Sequence, residues 1–443
     1  MRFMRLLLVF STLTPVTALA QTADETAVVQ SSVSAGELEI SPADSRQAIG
    51  PMGLIAAFDL ALDHDAEYRS AEAEFDVNKV AARQSLASYL PSANYSMTNI
   101  PTDGLTRQVF SVSQPLLSLE RLATLRQSAP RRRYADVLML TRQNDLAQRL
   151  MKAVSDYVRA NESAKLNAAK VEALQEQSNR ATKLFRGGLG TITDAREVEV
   201  RFLQARANQS LIIAERHAAA TRIGSMTGVD LTAQDFVLRE RLKQIVLPAK
   251  EELGMGVAQS PQVLAAQLTE RVASLEAQRV RGSLLPTVQG SASYTLTQGR
   301  HISYVGLSVT APVSAGGIFS VAAASASARR SSEDRRRIQE QADVNFERYY
   351  GLVEGGQDAL QGHAMAIEAA ELSVDANRKS YDGGVRSNLD VVNAIQTVFE
   401  VKNQYVNSAL QLAENYLNLQ INAGTPASTA IENVAHFLFG AEK

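Results

Sequence analysis

The chain has 443 residues, a formal net charge of −2, 6% aromatic residues, no cysteine and no tryptophan. The balanced charge excludes bulk electrostatic attraction to nucleic acid. The missing cysteine excludes disulfides, thiolate metal sites, a cysteine nucleophile and a lipid-anchored N-terminus, while a composition rich in Ala, Leu, Gln, Arg and Glu favours long helices and coiled coils.

Residues 1–20 read as a secretory leader. Arg2 and Arg5 give the positive start, Leu6 to Leu13 a short apolar core, and Ala18-Leu19-Ala20 a small-residue cleavage site. Residues 21–46 are polar and small, the composition of a flexible segment. No later stretch reaches the ~18 apolar residues of a membrane helix. An exported chain of this kind is periplasmic, extracellular or an outer-membrane barrel.

The rest is written twice. Phe185-Arg186-Gly187-Gly188-Leu189 with Asp194 recurs as Tyr381-Asp382-Gly383-Gly384-Val385 with Asp390, a spacing of 196. Leu90-Pro91-Ser92 recurs as Leu285-Pro286-Thr287 at 195, and Pro115 as Pro312 at 197. Anchors at near-constant spacing mark an internal repeat. The first copy spans 47–229, with strands at about 89–98 and 106–114 and a hairpin tip at 186–194. A connecting segment follows at 230–252. The second copy spans 253–423, with strands at about 286–297 and 302–312 and a tip at 382–390, leaving a tail of 424–443. Each copy runs helix, strand, strand, long helix, glycine turn, long helix.

From Tyr134 to Phe185 there is no proline or glycine, and Tyr157, Ala160, Ala164, Asn167, Val171, Leu174, Ser178, Ala181 and Phe185 alternate spacings of three and four. That is a heptad seam. A helix starting after Pro130 would hold ~55 residues and extend roughly 80 Å, a rod no compact domain needs. Its return partner runs from Asp194 to about Thr227, and the second copy repeats the pair from about Ser331 to Tyr381 and from Asn388 to Asn422. Gly351, Gly355 and Gly356 weaken the first of these.

The strands alternate. Val288, Gly290, Ala292, Tyr294 and Leu296 face away from Thr287, Gln289, Ser291, Ser293, Thr295 and Thr297. Val305, Leu307 and Val309 alternate with Gly306, Ser308 and Thr310, and the first copy does the same with Tyr95, Met97, Phe110 and Val112 against small polar residues. A period of two with one small, polar, uncharged face suits a membrane barrel wall, lipid outside and water inside. A half-buried soluble sheet gives the same alternation. Four strands cannot close a duct, and lipid tolerates no open sheet edge. Several chains would therefore share one barrel; three would give twelve strands, within the known range.

In these features the chain resembles the TolC family of outer-membrane export channels, over about Ile49 to Ala423. The resemblance is carried by the two tip motifs, Phe185-Arg-Gly-Gly-Leu-Gly-Thr-Ile-Thr-Asp194 and Tyr381-Asp-Gly-Gly-Val-Arg-Ser-Asn-Leu-Asp390, by the Leu-Pro pairs, and by Val309-Thr-Ala-Pro-Val-Ser-Ala-Gly-Gly317. This last segment is most similar to the type I secretion subgroup, which exports proteases and lipases. The resemblance implies a mainly α fold with a small membrane β part. Long coiled-coil hairpins would carry four strands into a shared trimeric twelve-stranded barrel. It further implies an outer-membrane homotrimer that extends into the periplasm, touches outer-membrane lipid and docks onto a periplasmic adaptor and an inner-membrane transporter. No cofactor, metal or nucleic acid is implied. The cargo is open between exported protein and small molecules, since one duct serves both.

The tip residues carry the candidate site. Helices that reverse in a few residues need positive φ, which Gly187, Gly188, Gly383 and Gly384 can supply, and Thr193 or Asp194, and Asn388, can cap the returning helices. By family resemblance Tyr381 and Arg386 donate to Thr193 and Asp194 and hold the periplasmic entrance shut, and Asp390 forms an acidic ring in the pore. A second acid often follows one turn on. Here Asn393 stands there, which weakens the ring.

Two rivals are weaker. The five histidines lie far apart, and no Gly-x-Ser-x-Gly elbow or phosphate loop is present, so no catalytic site is expected. A periplasmic adaptor would carry one hairpin flanked by lipoyl-like and barrel modules, not two hairpins alternating with two strand pairs.

Overall fold

The computed structural model describes residues 52–100, 105–188, 190–232, 235–239, 242–297, 299–312 and 314–440; the expected leader and the segment 21–46 lie outside them. All described residues belong to the unit beginning at Gly50. Helix α1 (Leu54–His64) meets α2 (Ala66–Ala87) at Asp65, which closes the first helix and caps the second. Strands β1 (Ser92–Ile100) and β2 (Leu105–Leu117) lead into α3 (Leu119–Arg186) and its return partner α4 (Ile192–Thr227). A stretch whose described residues form no helix or strand leads to the short α5 (Lys250–Met255) and a 3-10 turn at Val257–Gln259. The pattern then repeats as α6 (Pro261–Gly282), β3 (Thr287–Thr297), β4 (Arg300–Thr310), α7 (Ala315–Asp382) and α8 (Asn388–Asn422), before the terminal α9 (Ala427–Leu438).

Both long helices start earlier than the sequence pattern suggests, and each has 68 residues, about 100 Å of rod at the α-helical rise. Helix α3 begins beneath Ser118, whose hydroxyl accepts from the Arg121 amide at 3.2 Å, and runs straight through Pro130. An internal proline costs about 3 kcal/mol. Here α6 lies alongside and offsets that cost: Gln127 donates to Glu276 at 3.0 Å and Arg279 to Glu120 at 2.7 Å. The two helices come so close that a side chain on Gly282 would strike the backbone of Leu119 and Glu120. Helix α7 begins at Ala315, capped by Ser314, which accepts from the Gly317 amide at 3.1 Å, rather than near Ser331. It passes Gly351, Gly355 and Gly356 unbroken, because packing along α8 outweighs weak local propensity.

The main core sits part way along the helices. It joins Leu54, Ala57 and Phe58 of α1, Leu146, Leu150 and Val154 of α3, Ile223 of α4, Leu410 and Leu417 of α8, and Ile431, Val434 and Leu438 of α9. The connecting stretch enters it through Phe236, which holds a φ of 53° and packs edge-on against Tyr157 at 6.1 Å and against Phe439 at 6.0 Å. Asp235 secures that turn by accepting from the Met52 amide at 2.8 Å and the Thr232 hydroxyl at 3.0 Å. The arginine run on α7 is a paired helix surface: Arg335 meets Glu270 at 2.7 Å, Arg336 meets Glu340 at 2.9 Å and Arg337 meets Asp334 at 3.7 Å.

Asp65, at the junction of α1 and α2, ties both to α3. It is buried, accepts from the Tyr68 amide at 2.8 Å, and takes two bonds from Arg149 at 3.1 and 2.8 Å. Burial pushes its carboxyl up, but the Arg149 guanidinium and the Tyr68 amide outweigh that and hold it below the usual range. A folded value below the unfolded one gives stability that is complete above the unfolded pKa and lost as pH falls through the folded value. The melting temperature of the detergent-solubilised protein should therefore drop on acidification below about pH 4, and Asp65→Asn should remove that part of the acid dependence while lowering the melting temperature at pH 7.

Candidate functional site at the sheet and the hairpin tips

The four strands form one antiparallel sheet in the order β1-β2-β3-β4. The two repeats are joined at its centre, where β2 pairs with β3. Register sorts the side chains by face. Ala93, Val112, Ala292 and Val305 share one row; Tyr95, Phe110 and Tyr294 share another on the same face. The opposite face carries the rows Ser92, Ser113, Ser291, Gly306 and Asn94, Ser111, Ser293. Among the described residues no element packs on the apolar face: Tyr95 is 60% exposed, Val305 83% and Val309 69%. Strand β4 extends back to Arg300, beyond the expected start at 302, and this places Ile302 and Tyr304 on the polar face. Strand β2 likewise runs on to Leu117 through a register shift at Pro115, since proline has no amide to give the ladder. The outermost strands, β1 and β4, each have one unpaired side.

At the far end of the helices the two tips are built alike. Of each glycine pair only the second takes positive φ: Gly188 and Gly384 both have 73°, while Gly187 and Gly383 are helical at −80° and −81°. One left-handed residue suffices to turn the chain. The caps are also not those expected. Thr191 caps α4, accepting from the Asp194 amide at 3.1 Å, and Ser387 caps α8, accepting from the Asp390 amide at 3.2 Å. Thr193, Asp194 and Asn388 therefore sit inside the first turns. The aspartate three residues on completes each cap, Asp194 accepting from the Thr191 hydroxyl at 2.8 Å and Asp390 from the Ser387 amide at 3.0 Å and hydroxyl at 2.9 Å. Those Ser387 bonds, helped by Arg386, hold the Asp390 carboxyl below the usual range. It is anionic at neutral pH.

The tips are tied to each other. Leu174, Val198, Ala205 and Val392, with Val171 and Phe202, form a small core between the hairpins. Asn388 is 2% exposed and accepts from Gln177, Arg201 donates to Gln396 at 2.5 Å, and Arg180 of α3 pairs with Asp382 of α7. Arg180 also lies over the Tyr381 ring at 5.8 Å. Burial, with the charges of Asp194 and Asp382 against that of Arg180, pushes the Tyr381 phenol up, so it is a proton donor at neutral pH. Tyr381 and Asp194 thus share one electrostatic neighbourhood. Arg386 does not join them within a single chain; its partner among the described residues is Asp390 at 3.9 Å. Arg180, Gln177 and Gln396 escape sequence reasoning, because each lies on a helix face whose facing partner is about two hundred residues away. Among the described residues no group of acidic or histidine side chains could hold a metal ion.

An open sheet carried on paired helical rods defines a class, the outer-membrane duct with a helical extension. The family model described as "Outer membrane efflux protein" matches residues 255–425. The proteases secretion protein PrtF of Dickeya chrysanthemi is 29% identical over 84% of this chain and 88% of its own length. The alkaline protease secretion protein AprF of Pseudomonas aeruginosa is 23% identical over 87% of each. Among solved structures, the outer membrane protein VceC of Vibrio cholerae superposes with a TM-score of 0.72 at 14% identity, over 84% of this chain and 96% of that one. The CmeC outer membrane channel of Campylobacter jejuni gives 0.71 at 14%, over 87% and 89%. In sequence over residues 255–425 and in fold over most of its length, the chain is similar to outer membrane efflux proteins of the TolC type. It is an outer-membrane channel protein that extends into the periplasm.

The caps carry a prediction. Removing an N-cap oxygen weakens the first helical turn. Ser387→Ala should speed amide hydrogen exchange in the first turn of α8 by about fivefold, with Ser387→Gly smaller, and leave exchange in α9 unchanged.

Proposed function

We propose that three copies of this chain close a twelve-stranded barrel and form the outer-membrane duct of a three-part export machine that releases protein cargo. The observation that carries this reading is the sheet: its apolar face is bare and both edges are open. In lipid each unpaired backbone group costs several kcal/mol. Pairing β4 of one copy with β1 of the next removes every edge. The names of the relatives PrtF and AprF, both protease secretion proteins, point to an exported polypeptide. The helical end then serves the periplasmic adaptor and the inner-membrane transporter.

The tips act as the gate of this duct. Tyr381 and Arg386 are its donors and Thr193 and Asp194 its acceptors. Within one chain Tyr381 lies close enough to Asp194 to feel its charge, and Arg386 would act across to a neighbouring copy. Asp390, anionic and set in the first turn of α8, supplies the pore ring, with Gly188 and Gly384 shaping the turns that hold these groups. Charge-assisted hydrogen bonds contribute about 1.5–3 kcal/mol each before solvent screening reduces them. Threefold repetition makes a closed state that a docking partner can overcome by binding the open one.

Two measurements test this. The protein should pellet with outer membranes and run as a heat-labile oligomer about three times the monomer mass, and Val305→Pro together with Leu307→Pro on edge strand β4 should abolish that species. A soluble monomer would overturn the duct. In planar bilayers Arg386→Ser and Tyr381→Phe should each raise single-channel conductance; unchanged values in both would remove the gate and leave the duct. Genetic deletion separates cargo classes: loss of secreted protease supports this reading, whereas drug sensitivity with normal secretion points to small-molecule efflux.

A further inference from the structure

The strands contain two arginines, Arg107 and Arg300, and no aspartate or glutamate. Both arginines fall in one register row, which reads Thr98, Arg107, Thr297, Arg300 across β1 to β4. This row lies on the polar face: two residues along it comes Ser96, Val109, Thr295, Ile302, and then Asn94, Ser111, Ser293, Tyr304. The row also lies at the end of the sheet away from the helices, since Arg300 opens β4 immediately after the β3–β4 turn and Arg107 is the third residue of β2. Both side chains are exposed, and among the described residues neither has an ion pair or a side-chain hydrogen bond.

We infer that Arg107 and Arg300 form a basic ring at the outer mouth of the duct, a site for multivalent anions and a filter that favours acidic groups at the exit. This rests on the closed trimeric barrel proposed above. The arginines stand on alternate strands, about 10 Å apart at two strand spacings. Barrel strand tilt then staggers them by roughly 6 Å in height. Continued around three copies, the alternation is unbroken, because β4 of one chain neighbours β1 of the next. The result is six guanidinium groups at even intervals around the mouth. The sequence of the β1–β2 turn adds one acid, Asp103, so each chain still brings an excess of one positive charge. The two rows below the ring hold only uncharged side chains, so they offer an anion no competing carboxylate. Guanidinium forks suit carboxylate and phosphate geometry, and rings of arginine favour anions in pores. The opposite end of the same duct carries Asp390. An acidic segment of a passing chain would be drawn forward at the exit after the entrance, and small multivalent anions outside would lodge in the ring.

The experiment uses the full-length protein in planar bilayers, with phosphate, pyrophosphate or tripolyphosphate added on one side. Tripolyphosphate on the loop side should reduce single-channel current at concentrations at least about tenfold lower than phosphate. The block should weaken in 1 M salt, where the Debye length shrinks to about 3 Å. Arg107→Ser with Arg300→Ser should raise the blocking concentration about tenfold or more, whereas Arg107→Lys with Arg300→Lys should retain the block. Equal block from either side, or block unaffected by the serine pair, would overturn the ring. Should the serine pair fail to assemble, the comparison of sides, anion charges and salt in the unaltered protein still decides. Channels that conduct without loop-side block refute the ring alone; absence of any conductance refutes the duct beneath it.

Discussion

The constraint on which this architecture depends is that backbone amides and carbonyls in hydrocarbon must find partners within protein. Four strands satisfy this inside the sheet but not at its edges, and their apolar face has no core to cover it. On the trimeric reading proposed above, neighbouring copies remove this mismatch. The sheet is built from both repeats, with β2 against β3, so neither copy of the repeat could supply a wall section alone.

Below the sheet the chain is almost wholly helical. A helix satisfies its own backbone hydrogen bonds over any length, which allows rods of 68 residues. Their weak point is nucleation and tolerance of breakers, and both are managed by neighbours. Helix α6 stays beside Pro130, and α8 stays beside the glycines of α7. The core around α1, α9 and the Phe236 turn clamps the rods part way along, and the Asp65–Arg149 pair fastens the entering chain to that clamp.

The tips work on a smaller energy scale. Their caps are local, each a hydroxyl three residues before an aspartate that completes it, while the hairpins are tied by a small apolar core, the Gln177–Asn388 and Arg201–Gln396 hydrogen bonds and the Arg180–Asp382 ion pair.

How much was legible in the sequence divides along range. The duplicated tip motifs, the heptad seam ending at Phe185 and the alternation of Tyr294 with Ser293 and Thr295 each repeat a local rule, so the sequence by itself determined the helical rods, the sheet's two faces and the resemblance to a family of ducts. Local rules also misled where a neighbour intervenes. Pro130 reads as a helix start and Gly351 as a break, yet α6 and α8 carry the helices through. Thr193 and Asn388 read as caps by residue type, but the actual caps, Thr191 and Ser387, depend on where the glycine turn releases the chain. Only the tertiary structure decided that Arg180 meets Asp382, that Gln177 meets Asn388, and that Arg107 and Arg300 stand in one row. These pairs are about two hundred residues apart and obey no period; what brings them together is the register between one repeat and the other, which is set by packing across the whole unit.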